Sequence, residues 1–143
     1  MSGIQFDQKT KVFRLSTKNT CYQMQVTDYG YLSHLYYGAD IGDTQITGFY
    51  VPRDCGFSPN PWEADKERTF SADTLPQEYG AAGCGDYREC ALIAEHADGS
   101  QAADLRYEGY VIREGKYALE GLPAMFAPAA VCGGNTEIGR AHV

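Results

Sequence analysis

The chain has 143 residues, of which 43% are hydrophobic and 22% charged, and its formal net charge is −7. These values are typical of one globular domain with its own core, and they exclude a chain that is disordered throughout. The acidic balance disfavours nucleic acid as a partner, because a negative surface repels phosphate backbones. No apolar run approaches the roughly 20 residues that a membrane-spanning helix needs.

The N-terminal third predicts antiparallel strands. In residues 22–26, Tyr, Met and Val alternate with two glutamines, so the three less polar side chains share one face. This is the period-2 pattern of a half-buried strand. The dipeptide Tyr29-Gly30 predicts a turn, and residues 32–37 predict the returning strand of a hairpin. A second break is expected over residues 38–42.

The middle of the chain, residues 47–90, is rich in Pro, Gly, Asp and Asn. Loops of this length inside a compact domain are uncommon, and they are usually functional or disordered. The aromatic residues of this region, Trp62 among them, favour order over a flexible linker. The sequence therefore predicts that a functional loop lies in this region.

Strand patterns return after this loop region. Residues 91–96 alternate in polarity, Asp98-Gly99 is a strong turn dipeptide, and residues 104–112 predict a further strand before a turn at 114–116. No long segment has helical periodicity. The expected fold is therefore all-β, an antiparallel β-sandwich.

The last residues fit no strand or helix pattern. The heptapeptide formed by residues 137–143, EIGRAHV, back-translates to GAG ATC GGA AGA GCA CAC GTC, which matches a common short-read sequencing adapter. We therefore expect a partial domain over residues 1–136 and an adapter-derived tail over residues 137–143. A sandwich cut at this point is incomplete at its C-terminal end and leaves an unpaired strand edge.

The five cysteines favour free thiols. Their number is odd and no Cys-x-x-Cys pair occurs, so neither a disulfide framework nor a zinc knuckle is indicated. The first residues show no basic segment followed by an apolar stretch, as a secretory signal would have. Free thiols are typical of a reducing compartment, so the predicted location is the cytoplasm.

Nine segments resemble the bacterial α-galactosidases of glycoside hydrolase family 36, in that family's order and with its spacing. They are residues 22–26 (YQMQV), 29–38 (YGYLSHLYYG), 57–61 (FSPNP), 68–79 (RTFSADTLPQEY), 85–88 (GDYR), 98–100 (DGS), 104–107 (DLRY), 115–116 (GK) and 119–124 (LEGLPA). The resemblance covers roughly residues 4–126. Residues 80–84 and 127–134 depart from the family's pattern.

The resemblance implies an N-terminal β-supersandwich that precedes a (β/α)₈ barrel and a C-terminal β-domain. In that family the barrel carries both catalytic aspartates of a retaining mechanism. A barrel of about 250 residues does not fit in this chain, so we expect no catalytic residue here and no activity from the chain alone. The implied substrates are α-galactosides of the melibiose and raffinose type. The implied assembly is a homo-oligomer, typically a tetramer, and no cofactor is implied.

The resemblance also implies two substrate-binding residues in the loop formed by residues 52–71. Family members use this loop to reach the active site of a neighbouring subunit. The substrate-contacting aspartate of the family matches Asp54, and an arginine that shapes the same pocket matches Arg68. The alternatives are a solvated or turn-capping carboxylate for Asp54, and an ion pair with Asp65 or Glu67 for Arg68.

Other candidate residues have weaker support. Trp62 is either a platform for a sugar ring or an anchor that fixes the loop to the core. Asp73 and Glu78 could be read as a carboxylate pair, although the family places its catalytic carboxylates elsewhere. His34 and His96 are interpreted as strand residues, because no third ligand lies at metal-binding spacing.

Two further function classes stay open at this point. One is a freestanding carbohydrate-binding module, and the other is an oligomerisation domain without sugar contact. Within the enzyme class, the family also contains α-N-acetylgalactosaminidases and galactosyl transferases, whose specificity is set by barrel loops outside this chain.

Overall fold

The computed structural model describes residues 3–48, 50–54, 59–64, 67–113 and 135–138. The elements within these residues are β1 (Gly3–Asp7), β2 (Val12–Ser16), β3 (Thr20–Val26), β4 (Leu32–Ala39), a 3₁₀ turn (Trp62–Ala64), β5 (Tyr110–Arg113) and β6 (Asn135–Ile138). Strands β1 to β4 form one antiparallel sheet in chain order, and β5 pairs with β6. The described part of the chain contains no α-helix, so the all-β prediction is confirmed.

Local side-chain chemistry sets the turns of the four-stranded sheet. The Asp7 carboxylate accepts hydrogen bonds from the backbone N–H groups of Lys9 (2.8 Å) and Thr10 (3.2 Å), which closes the turn after β1. Gly30 lies at φ +80°, a left-handed conformation that favours glycine, in the turn between β3 and β4. The hairpin predicted around Tyr29-Gly30 is therefore confirmed.

Aromatic packing on one face of the sheet forms the core. Phe13 is fully buried beside Met24, and its ring centroid lies 4.2 Å from that of Phe6. The rings of Tyr107 and Tyr110 approach Phe13 edge-on at 5.9 and 5.2 Å. Because Tyr110 belongs to β5, one strand of the smaller sheet packs on this face, in keeping with the layers of a β-sandwich.

The opposite face of the sheet is covered by the segment that follows β4. Gln23 is fully buried there, and its Nε2 donates to the carbonyl of Thr44 at 2.8 Å. The N–H of Ile46 donates to Gln23 Oε1 at 3.0 Å, so both ends of the buried amide are satisfied. Arg14 pairs with Asp40 at 2.9 Å on the same face. Both faces of the sheet are therefore partly covered. As a result, buried and exposed positions do not alternate strictly along β3, where the neighbours Gln23 and Met24 are both buried.

Two strand predictions are wrong or too long. Residues 91–96 form no strand, because Ala91 and Leu92 both donate to the single carbonyl of Gly80 and only an isolated bridge links Leu92 to Ala81. Alternation alone cannot make a strand without a neighbouring ladder. The strand predicted over residues 104–112 is confined to β5, and the turn predicted at residues 114–116 lies outside the described residues.

The C-terminal segment is described only in part. Strand β6 crosses the predicted boundary between residues 136 and 137, whereas residues 139–143 and the divergent stretch 127–134 lie outside the described residues. Among the residues that are described, no helix is long and apolar enough to cross a membrane.

Candidate carbohydrate-contacting loop

The two predicted site residues lie together on the loop formed by residues 52–71. Arg68 Nη2 is 3.1 Å from Asp54 Oδ1, and the two side chains are 66% and 54% exposed. Exposed ion pairs contribute little to stability, with a median of roughly 0–1 kcal/mol. Both charged groups therefore remain accessible from solvent.

Of the two alternative partners predicted for Arg68, the one that the structure describes, Glu67, is engaged elsewhere. The Glu67 carboxylate instead accepts hydrogen bonds from the N–H (2.7 Å) and hydroxyl of Thr69, which lower the pKa of Glu67. Asp65, the other alternative, lies outside the described residues. The interpretation of Asp54 as a solvated carboxylate agrees with its exposure, but its ion pair with Arg68 gives it a fixed neighbour.

Hydrogen bonds connect residues 59–72, the second part of the loop and the residue after it, to one another. The N–H of Ala72 donates to the carbonyl of Pro59 at 3.3 Å, and Asn60 Nδ2 donates to the carbonyl of Glu67 at 3.1 Å. Inside the loop, the N–H of Ala64 donates to the carbonyl of Pro61 at 2.9 Å and forms the 3₁₀ turn. The first two of these bonds join Pro59 to Ala72 and Asn60 to Glu67, the residue next to Arg68.

A buried carboxylate supports the loop from behind. The Asp86 side chain is only 5% exposed, and it accepts from Arg88 Nε (2.8 Å), Arg88 Nη2 (2.7 Å) and Gln77 Nε2 (3.0 Å). Arg88 Nη2 also donates to the carbonyls of Ala72 (3.0 Å) and Leu75 (2.8 Å). The hydrogen bonds from Arg88 hold the pKa of Asp86 below its usual value. We call Asp86, Arg88 and Gln77 the support cluster.

Gly85, the residue before Asp86, lets the support cluster pack closely against the loop. Gly85 lies at φ +91°, and a Cβ at this position would overlap the Pro59 ring. Only glycine can adopt this positive φ and also pack this closely on Pro59 without strain. Residues of the segment GDYR therefore contact Pro59 through Gly85, and Ala72 and Leu75 through Arg88.

Aromatic rings join the end of the loop to the β3–β4 turn. The Phe70 ring lies 4.6 Å from that of Tyr29 and stacks on Tyr31 at 5.7 Å. The Arg106 guanidinium lies 4.0 Å from the centroid of the Tyr31 ring, a cation–π contact, and the Tyr31 hydroxyl donates to Asp104 at 3.0 Å. Burial, more than the nearby carboxylate, raises the pKa of Tyr31.

A second polar cluster lies on the sheet. His34 Nδ1 is 2.9 Å from Glu78 Oε1, and the Tyr22 hydroxyl donates to the same carboxylate. Burial, followed by Glu78, raises the pKa of Tyr22. His34 lies in β4, as predicted, whereas His96 lies outside the strands and its Nε2 is 2.9 Å from the carbonyl of Ala102.

The pairing of Asp73 with Glu78 has no support in the geometry. Asp73 accepts from the hydroxyl of Ser71, whereas Glu78 is engaged with Tyr22 and His34. No group of His, Cys, Asp or Glu side chains in the described residues could hold a metal ion. Three cysteines in that part of the chain, Cys21, Cys84 and Cys90, are unpaired thiols.

The interpretation of Trp62 as an anchor is wrong. Its side chain is 86% exposed at the start of the 3₁₀ turn, although Ala64 in the same turn is buried. The turn reaches the body of the domain through its neighbour Glu63, whose carboxylate lies 3.7 Å from Arg106. Trp62 thus stands on the surface, while the polar residue beside it makes the contact inward.

Sequence reasoning missed the ion pairs that support the loop. Asp86 and Arg88 are two residues apart, as are Asp104 and Arg106, and each pair bonds internally at 2.7 Å. Residues i and i+2 of an extended chain point to the same side, so the spacing Asp-x-Arg is a usable signal. It occurs in the quoted segments GDYR and DLRY, where the pairing could have been predicted.

The comparisons with known proteins agree on one family. Residues 30–138 match the glycosyl hydrolase family 36 N-terminal domain. The bifunctional alpha-galactosidase/sucrose kinase AgaSK of Mediterraneibacter gnavus is 47% identical over 125 residues, which are 87% of this chain and 13% of AgaSK. The structure of its galactosidase domain superimposes with a TM-score of 0.81 at 46% identity, covering 89% of this chain and 18% of that one.

Two solved complexes of the family 36 α-galactosidase AgaA from Geobacillus stearothermophilus are also similar. The raffinose complex has a TM-score of 0.74 at 40% identity, covering 84% of this chain and 16% of AgaA. The stachyose complex has a TM-score of 0.73 at 41% identity, covering 82% and 16%. The chain thus spans less than a fifth of the length of these relatives. It belongs to glycoside hydrolase family 36, and it matches the N-terminal domain of that family.

Proposed function

We propose that this chain is the N-terminal β-sandwich domain of an α-galactosidase that hydrolyses terminal α-D-galactosyl residues of melibiose- and raffinose-type oligosaccharides. The family and the relatives' activities support the proposal, and AgaA binds raffinose and stachyose in its solved complexes. Hydrolysis with retention needs two carboxylates on a suitable scaffold, and in this proposal both lie in the barrel. The isolated chain is therefore inactive, and the whole enzyme is cytoplasmic.

The observation that carries the domain's role is the exposed pair formed by Asp54 and Arg68. A carboxylate accepts hydrogen bonds and a guanidinium donates them, so the pair offers both functions to the hydroxyls of a sugar. The support cluster bonds to the carbonyls of Ala72 and Leu75 directly after the loop, which supports an ordered chain on the Arg68 side. In our proposal this loop forms one wall of a neighbouring subunit's active site in a homo-oligomer, a tetramer, and contributes to its interface.

The test uses a chimera in which this chain replaces the matched N-terminal segment of the AgaSK galactosidase domain. We expect the chimera to hydrolyse an aryl α-galactoside. Asp54→Asn and Arg68→Lys should each lower kcat/KM about 10- to 100-fold, because one charged hydrogen bond contributes roughly 1.5–3 kcal/mol. Asp28→Asn, which removes an exposed carboxylate near the β3–β4 turn, is the matched control. Unchanged kinetics in both loop variants would refute the role of the loop.

A freestanding carbohydrate-binding module is the second candidate, and the exposed Trp62 favours it. A module binds sugar without catalysing a reaction, so the isolated chain should bind α-galactosides while its chimera shows no dependence on Asp54. Turnover of an aryl α-galactoside by the isolated chain would contradict both candidates.

The extent of the domain is a separate proposal. Residues 1–136 belong to the α-galactosidase domain and residues 137–143 derive from a sequencing adapter, since their codons can spell the adapter sequence. Long-read sequencing of the source DNA past the codon for Thr136 tests this. A frame that continues into a barrel supports the proposal, and a frame that ends after Val143 contradicts it.

A further inference from the structure

A small cavity of about 240 Å³ opens beside the 3₁₀ turn. Trp62, Tyr31, Cys84, Asp104 and Arg106 contribute to its wall, and Asp54 and Arg68 do not. At about 30 Å³ for each water molecule it has room for roughly eight waters. This volume suits one sugar ring and is too small for a complete trisaccharide.

One side of the cavity is aromatic. Trp62 leaves 86% of its surface in solvent, although an indole is among the side chains that gain most from burial. A sugar ring has an apolar face of C–H groups, and a flat exposed indole offers a matching surface. Pro61, which also lines the cavity, restricts the backbone before Trp62 and reduces the entropy lost when a ligand orders the turn.

The other side is polar and already organised. Arg106 donates to both oxygens of Asp104 through Nε at 2.9 Å, and the Tyr31 hydroxyl donates to Asp104 at 3.0 Å. Further contacts of the guanidinium, to the carbonyl of Tyr29 and to Glu63, fix its plane. Asp104 stays 45% exposed, so its carboxylate remains accessible to an incoming hydroxyl.

The charges around the cavity select for a neutral ligand. Two carboxylates, Asp104 and Glu63, lie around the single guanidinium of Arg106, and the chain as a whole carries −7. A phosphate or carboxylate ligand would meet net repulsion here. A ligand with many hydroxyls and no charge can donate to Asp104 and also to the Tyr31 oxygen, whose own proton is donated to Asp104.

We infer that this cavity binds one pyranose ring of an α-galactoside, with the ring on Trp62 and its hydroxyls on Asp104 and Tyr31. This site is additional to the pair formed by Asp54 and Arg68. The choice of an α-galactoside rests on the proposed function, whereas a neutral sugar ring follows from the cavity itself. A site this shallow gives a dissociation constant on the order of 1 mM.

Trp62 is the only tryptophan of the chain, so its fluorescence reports directly on the cavity. The 143-residue chain, checked for folding by circular dichroism, is titrated with melibiose and raffinose, and with sorbitol as a non-cyclic polyol control. We expect a saturable change with either sugar and none with sorbitol. Asp28→Asn should leave the titration unchanged, because Asp28 is an exposed carboxylate that does not line the cavity.

Three variants test the cavity, and Ala102→Phe separates sugar binding from folding. Ala102→Phe should fill the cavity from its exposed rim and weaken sugar binding at least about 10-fold without removing an ion pair. Asp104→Asn should weaken binding to a similar degree through the lost acceptor. Trp62→Ala, followed by isothermal titration, should abolish the sugar-binding heat. A Trp62 fluorescence change that rises linearly with sugar concentration and does not saturate overturns the inference. So does a saturable change that Ala102→Phe leaves unaffected.

The chimera assay and the Trp62 titration together distinguish this inference from the proposed function. A chimera that loses activity with Asp54→Asn, in a chain whose Trp62 does not respond to sugar, leaves the proposed function standing and removes the cavity site. A responsive Trp62 in a chain whose chimera is inactive leaves the cavity site and removes the α-galactosidase assignment.

Discussion

Replacement of Asp86 by asparagine tests the support cluster most directly. One carboxylate oxygen accepts from Arg88 Nη2 and Gln77 Nε2, and the other accepts from the N–H and Nε of Arg88. Asparagine keeps one acceptor oxygen, so its NH₂ group must face two donors on the other side. The substitution therefore removes two hydrogen bonds and the negative charge in one step.

The expected cost follows from burial. A hydrogen bond to a charged group contributes roughly 1.5–3 kcal/mol, but the Arg88 side chain is 46% exposed and water replaces part of the loss. We therefore expect Asp86→Asn to lower the free energy of unfolding by about 2–3 kcal/mol. For a domain of this size that corresponds to a fall in Tm on the order of 10 °C.

The measurement is urea unfolding followed by far-UV circular dichroism, because the exposed Trp62 should change its fluorescence little on unfolding. Glu89→Gln, which removes an exposed carboxylate from the same segment, is the matched control and should stay within about 0.5 kcal/mol of the wild type. An Asp86→Asn variant as stable as that control would refute the assigned role of the support cluster.

The same carboxylate predicts a pH dependence with a definite sign. The pKa of Asp86 is lower in the folded chain than its ordinary value of 3.8. Its stabilisation is therefore complete above the unfolded pKa and is lost as the pH falls through the folded one. The difference in stability between the wild type and Asp86→Asn should be constant near neutral pH and shrink below about pH 4. A difference that grows in acid would contradict this assignment.

Three further substitutions test other parts of the fold. Gly85→Ala should lower the free energy of unfolding by more than about 2 kcal/mol, since it adds overlap with Pro59 to the strain of a positive φ. The control Gly99→Ala, at φ +82° in open space, should lower it by about 1 kcal/mol. Equal losses would argue against the packing of Gly85 on Pro59. Phe13→Ala should cost about 3–5 kcal/mol in thermal unfolding, and a loss below 1 kcal/mol would be inconsistent with its place in the core. Gln23→Leu should accelerate hydrogen exchange at the Ile46 amide, which loses its acceptor; unchanged protection there would rule out the Gln23 contact.

The sheet was predictable where the pattern was local. The alternation in residues 22–26 and the turn at Tyr29-Gly30 specify β3 and β4 because strand, turn and partner are contiguous in sequence. The same alternation in residues 91–96 failed, since a strand also needs a partner and Leu92 finds only an isolated bridge. Gln23 was not expected in the core, because its burial depends on the segment after β4 that covers it.

The candidate site was predictable only through the family. Nothing local in the sequence pairs Asp54 with Arg68 across 14 positions, and the resemblance alone selected them. The exposure of Trp62 could not be read from composition, because a tryptophan in a long loop serves equally well as an anchor or as a surface group. Here the inward contact is made by Glu63 with Arg106, which leaves the indole outside.

The two Asp-x-Arg pairs connect segments that are separate in sequence. Arg88, which is paired with Asp86, donates to the carbonyls of residues 72 and 75 immediately after the loop, while Arg106 donates to the carbonyl of Tyr29 in the turn before β4 and contacts Glu63 inside the loop. A loop without strand partners is thus held by arginines that bond to backbone carbonyls and carboxylates. Each arginine serves a segment distant in sequence, so an insertion between the segments is tolerated only where it leaves these contacts in place. The segments GDYR and DLRY are thus both tied by arginines to residues beside or within the loop that carries Asp54 and Arg68.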